Sequence, residues 1–187
     1  MDDKKIKQEE KIEKKKKFKK EYIVFSIIVI LIILIDQISK IVISNLGEIV
    51  IISDVFKFGV TQNNSAAYGI GSNSKIMYII TNLIILSVIF KFMTTQNEFI
   101  DTKLKVFLSF IFAGGISNTI DKIFRGYVIE FIDFKQVINI PVLNIADIFI
   151  LIGWVSVAAI FASFTVIEWR KNKKIENKID DEDKKKG

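Results

Sequence analysis

The chain has 187 residues, 50% of them hydrophobic and 26% charged, with a net charge of +6, and its length is that of one domain. It contains no cysteine and no histidine. That excludes a disulfide framework, thiolate zinc sites, a cysteine nucleophile, a serine–histidine–aspartate triad and the two-histidine zinc helix, leaving acids, amines, amides and hydroxyls for any chemistry.

Residues 1–20 are rich in lysine and end where the first apolar block begins. Such a tail reads as a cytoplasmic anchor against anionic headgroups. It lacks the interleaved aromatics that stack bases, so nucleic acid is not an expected partner. The first apolar block covers about 22–44, longer than a signal-peptide core and without a small-x-small cleavage site, and reads as retained. Further spans are expected over about 75–93, 103–123 and 142–169. The third is the least apolar, carrying Gly114, Gly115, Ser117, Asn118 and Thr119 in its second half, a composition suited to close helix packing. Pro141, the only proline, fits the start of the fourth span. The charged segment 171–187 reads as disordered. Residues 1–21 and 170–187 are thus expected to be tails on a four-span unit, 22–169.

Lysines and arginine before span one, between spans two and three, and after span four place both termini in the cytoplasm. Connections 45–74 and 124–141 then lie outside. The first of these is β-branched and aromatic from Glu48 to Val60 and predicts short strands on the membrane surface. The expected fold class is therefore an all-α membrane protein of four transmembrane helices with a small extracytoplasmic β element.

Five carboxylates, Asp36, Asp121, Glu130, Asp133 and Asp147, lie within or beside the apolar blocks. Ionisable groups at membrane depth point to function. Asp36 and Lys40 stand at i and i+4, acid before base, and are assigned to support of the site. Asn63-Asn-Ser-Ala-Ala-Tyr-Gly69 reads in isolation as a turn and helix cap. Asn118 and Lys122, one turn apart above the Gly114–Gly115 pair, form a candidate binding face, with Asp121 between them as support. Val-Ile-Glu130-Phe-Ile and Asn144-Ile-Ala-Asp147 each embed one acid among apolar neighbours. Two such acids brought together share a proton, leaving one as base and one as acid, which suffices for peptide hydrolysis.

Taken in order, Asp-Gln-x-x-Lys, Asn-x-x-Ala-Ala-aromatic, Gly-Gly…Asn-x-x-Asp-basic, Val-x-acid-Phe-Ile and Asn-x-Ala-Asp resemble the five blocks of bacterial signal peptidase II, across about 22–169. The resemblance implies an intramembrane aspartyl peptidase that needs no metal or other cofactor. It would act among membrane lipids in the bacterial cytoplasmic membrane, on diacylglyceryl prolipoproteins; four spans with a surface cradle are themselves enough for a complete site, so a monomer is expected. It places the catalytic pair on Asp147 and Glu130, the substrate-binding positions on Asn63, Asn118, Lys122 and Asn144, structural support on Asp36, Lys40, Gly114 and Asp121, and a β-cradle after span one.

This chain departs from the family pattern at five points. Glu130 stands where the family has aspartate, Lys122 where it has arginine, Ser65 and Ser117 where it has glycine, and Tyr68 where it has phenylalanine. The extra methylene of Glu130 leaves three readings open. Glu130 completes the pair, Asp133 replaces it, or the protein captures precursors without cutting them. A proton-conducting role fits less well, because the acids gather at one depth and do not cross the bilayer.

Overall fold

An apolar chain crossing a bilayer must satisfy its own backbone, so long apolar runs become helices. In the computed structural model, which describes residues 3–53, 55–64, 74–95, 101–134 and 140–186, four form: α1 (Asp3–Leu46), α2 (Ser74–Thr94), α3 (Thr102–Phe124) and α4 (Ile145–Lys186). Ser65 and Tyr68, and with them most of the Asn63 motif, fall outside the described residues. Each helix is long and apolar enough to cross a membrane. With 44 and 42 residues, α1 and α4 are each about 65 Å long, roughly twice the hydrocarbon thickness.

The excess length is a correction at the C terminus. Segment 171–187 was expected to be disordered, yet α4 continues through it to Lys186. Lysine and glutamate are good helix formers, and a span already helical supplies the nucleus that an isolated segment would lack.

The bundle is built around α3. Of its most apolar stretch 61% is buried, against 17% for each of the other three. Leu31, Ile84 and Val155 illustrate the outward apolar faces of α1, α2 and α4, which suit lipid contact. Phe25, Ile89, Met93, Leu104, Leu108, Ile111 and Val157 share one core cluster. The lysine-bearing ends of α1, α2 and α3 therefore meet at one level, and neighbours along the chain run in opposite directions. The glycine pair explains the tight packing of α3. A Cβ on Gly114 would lie 2.5 Å from the Ala146 carbonyl oxygen of α4, and one on Gly115 would lie 2.8 Å from a Leu86 methyl of α2.

At the other end of the bundle lies an antiparallel sheet of three strands, β1 (Ile49–Ile52), β2 (Phe56–Asn63) and β3 (Val128–Asp133), in that spatial order. The first two strands fall where the composition predicted them. The third was not anticipated. Gly126, at φ +87°, turns the chain out of α3 into β3, whose side chains are buried from Val128 to Ile132. Leu143 pairs with Ile132 through backbone bonds of 3.0 and 2.8 Å on the other edge of β3. That pairing keeps the chain extended to Asn144. Helix α4 starts at Ile145 rather than 142, and Pro141 precedes this extended segment instead of opening the helix.

Candidate active site

The first turn of a helix leaves N–H groups without intrahelical partners. Asn144 is the N-cap of α4. Its Oδ1 accepts from the Asp147 N–H at 2.8 Å, while Asp147 Oδ2 accepts from the Asn144 N–H at 3.0 Å. This reciprocal capping box fixes the Asp147 carboxylate at a helix N-terminus, where negative charge is favoured. A third donor, the Ala146 N–H, is taken by Asp36 Oδ1 at 2.9 Å, so α1 reaches across to the same turn.

The Asn144 amide nitrogen has two further acceptors, Asn118 Oδ1 at 3.0 Å and the Ile129 carbonyl at 3.1 Å. One side chain thus ties α4, α3 and β3 together, immediately beside both Asp147 and Glu130. Asn118 Nδ2 donates to Asp147 Oδ1 at 2.8 Å. Its orientation is dictated from behind, because Asn118 Oδ1 also accepts from Lys40 Nζ at 3.1 Å. Only the amide nitrogen is left to face Asp147.

Beneath this lies a buried charge layer. Lys40 is 2.5 Å from Asp36 and 2.7 Å from Asp121, and all three side chains are fully buried. Arg125 pairs with Asp121 at i,i+4, and its guanidinium also donates to Gln37 Oε1 at 2.9 Å. Gln37 Nε2 bonds Asp121 Oδ1 at 2.9 Å and Ser117 Oγ at 3.0 Å, and Ser117 Oγ donates to Asp36 Oδ2 at 2.7 Å. Two acids and two cations balance, which is what allows charge to remain inside such a protein. Ser117 occupies a usual glycine position of the resembled family and here serves as a link in this layer.

Glu130, 9% exposed, sits mid-strand on β3 opposite Thr61. Asn63 Nδ2 donates to Glu130 Oε1 at 2.6 Å, and the Asn63 carbonyl accepts from Lys122 Nζ at 3.0 Å. Lys122 is buried, lies 5.4 Å from the centre of the Tyr78 ring, and is close enough to Glu130 for their charges to interact. Tyr78, half-buried on α2, is within electrostatic reach of Asp147, Asp121 and Glu130.

Asp133 is placed differently. Three residues beyond Glu130 on a regular strand, it projects from the opposite face and pairs across the sheet with Lys57. The Lys57 ammonium has its pKa raised, mainly by its hydrogen bond to Glu48 at 2.8 Å, with Asp133 adding a smaller attraction. It is charged throughout the neutral range, and Asp133, half-buried like Lys57, belongs to that ionic group.

Asn63, Asn118, Lys122, Glu130, Asn144 and Asp147 thus surround one place at the sheet end of the bundle, with Asp36, Lys40, Asp121 and Gly114 behind them. Gln37 stood in the Asp-Gln-x-x-Lys block without an assigned role, and Arg125, Tyr78 and Asn82 had not been singled out. Arg125 was within reach, since it follows Asp121 by four residues, the spacing used for Asp36 and Lys40. Asn82, which donates to the Gly115 carbonyl at 2.9 Å and to Thr119 Oγ1 at 2.5 Å, and Tyr78 carry no motif that would distinguish them.

The family described as signal peptidase (SPase) II matches residues 28–164. A lipoprotein signal peptidase of Clostridioides difficile is 34% identical over 125 residues, covering 65% of this chain and 82% of the relative. That of Clostridium novyi is 33% identical over 131 residues, covering 67% and 88%. A solved bacterial membrane enzyme, obtained by the in meso method at 2.3 Å, superposes with a TM-score of 0.66 at 27% identity, covering 76% of this chain and 89% of its own.

Proposed function

Because the chain belongs to the signal peptidase II family, we propose that it is a lipoprotein signal peptidase whose catalytic carboxylates are Asp147 and Glu130. It is an aspartic-type peptidase of a multi-pass membrane protein family. Its substrates are prolipoproteins whose cysteine carries diacylglycerol, and that lipid holds the cut site at membrane depth.

The observation that carries this assignment is the Asn144 amide, bonded at once to the Asp147 N–H, to Asn118 and to the carbonyl next to Glu130. Asp36 and Asp121 are balanced by Lys40 and Arg125, and Lys122 lies within electrostatic reach of Glu130 and Lys75. Two carboxyls held together in a buried site share a proton, leaving one as base and one as acid. The ionised carboxylate takes a proton from water as its oxygen attacks the scissile carbonyl carbon. The protonated carboxyl then gives its proton to the departing amine as the C–N bond breaks. Asn63, Asn118, Lys122 and Asn144 bind and orient the peptide around this pair.

The unit that does this spans 22–169, with the site facing outward, both termini in the cytoplasm, and a single chain sufficient. Capture of precursors without cleavage finds no support in the relatives, which are peptidases by name. The test is gel-resolved cleavage of a diacylglyceryl prolipoprotein by detergent-purified protein. Cleavage by the parent, abolished in both Asp147→Asn and Glu130→Gln, is expected. Substrate binding without cleavage by the parent would overturn the assignment.

A further inference from the structure

Far from the carboxylates, the lysine-bearing end of the bundle has a gap. Helices α1 and α2 both pack on α3, and an apolar groove of about 260 Å³ runs between them. Tyr22, Ser26 and Val29 line its α1 side, Phe90 and Thr94 its α2 side, and Phe112 of α3 completes it. The walls are apolar, and a flexible hydrocarbon chain can lay part of its length between them.

The groove's mouth is marked by charge. Lys19 and Lys15 follow Tyr22 one and two turns toward the N terminus on the same side of α1, and Lys91 lies one turn from Thr94 on α2. All three are exposed. The nearby Lys105 is not available in the same way. It is buried, 3.4 Å from Glu21 and 5.7 Å from the centre of the Phe18 ring, and Glu21 is further held by Thr102 at 2.8 Å. Glu21, the one acid among residues 14–22 of α1, is thus held in a structural pair beside six lysines. Tyr22 adds a phenol at the level where aromatic side chains meet lipid headgroups.

We propose that this groove is a binding site for one phospholipid with an anionic headgroup. Its acyl chain lies between Val29 and Phe90, and its phosphate is held by Lys15, Lys19 and Lys91. The lipid fills the seam that α1 and α2 leave open, and the site is independent of the catalytic assignment.

The experiment is native mass spectrometry of the full-length protein in detergent with equimolar dioleoyl phosphatidylglycerol and dioleoyl phosphatidylcholine. The parent should retain the anionic lipid at least about tenfold over the zwitterionic one, given the attraction expected per lysine near a headgroup. The triple variant Lys15→Gln, Lys19→Gln, Lys91→Gln should bring that ratio near one. Val29→Trp, which fills the groove, should lose both lipids while remaining monodisperse. Equal retention by the parent, no retention, or a preference unchanged by the lysine substitutions would overturn the proposal. So would undiminished binding in a folded Val29→Trp protein. Should Val29→Trp fail to fold, the lysine variant alone decides.

Discussion

Glu130 has one methylene more than the aspartate of the resembled family, and its partner explains how that length is used. Asn63 holds the carboxylate at 2.6 Å. Shortening the side chain by one carbon withdraws it by about 1.5 Å, beyond hydrogen-bond reach of an unmoved Asn63. Glu130→Asp is therefore expected to lower cleavage, by about a hundredfold if the displacement is not absorbed, and a rise in rate would mean that the glutamate is a defect. Asp133→Asn should leave the rate within about twofold, since that side chain stands on the opposite face of β3 beside Lys57. Both are read from the same prolipoprotein gel. Lys40 makes a different prediction. It neutralises Asp36 and Asp121 and dictates which way the Asn118 amide faces. Lys40→Met strands two buried carboxylates against one remaining cation, a change expected to cost about 3–5 kcal/mol. A fall in the thermal midpoint, together with lost cleavage, is the expected result; an unshifted midpoint would show that the layer tolerates unpaired acid.

Among elements, the contact of α3 with the first turn of α4 matters most, because Ala146 precedes Asp147. At Gly114 an added methyl meets backbone, the Ala146 carbonyl, at 2.5 Å; at Gly115 its one close approach is to the end of the Leu86 side chain, with Asn82 Oδ1 at an ordinary 3.5 Å. Gly114→Ala should cost about 1–3 kcal/mol of stability and sharply reduce cleavage, while Gly115→Ala, where Leu86 can rotate, should be the milder of the two in both assays. The opposite ranking would mean that α3 and α4 can separate without moving Asp147. Much at this scale was legible beforehand. Four apolar blocks gave four helices, and the polar second half of the third span marked the helix that the others surround. Strand β3 was not legible, for a physical reason. Its inward residues lie on both faces, so Val128 to Ile132 lacks the alternation of a half-buried strand. Its partners, residues 57–63 and Leu143, are set by packing rather than by local pattern. The acids and amides of the site were named from their spacing and family resemblance. The bonds that join them, such as Asn144 to the Ile129 carbonyl, depend on that unforeseen strand.

For the whole molecule, the distribution of charge between its two ends decides which way it sits. The sheet end carries a layer in which acids and bases cancel, whereas the other end carries the lysines of α1, Lys91, Lys103 and the basic start of the α4 extension. Positive charge resists translocation, so the proposed orientation puts the lysine end in the cytoplasm and the sheet with its carboxylates outside. Under it, the α1 and α4 extensions, each about twenty residues beyond a bilayer's thickness, would project into the cytoplasm, clear of any substrate arriving at the outer face. The absence of native cysteine gives a clean background for testing this arrangement. Val50 on β1 and Asn172 on the α4 extension are both exposed, and each can be replaced singly by cysteine. In intact cells stripped of any outer barrier, a membrane-impermeant maleimide should label Val50→Cys at once and Asn172→Cys only after lysis. Labelling in the reverse order would place Asp147 and Glu130 on the cytoplasmic side, where no exported precursor presents its cleavage site, and the catalytic reading would fall with the orientation.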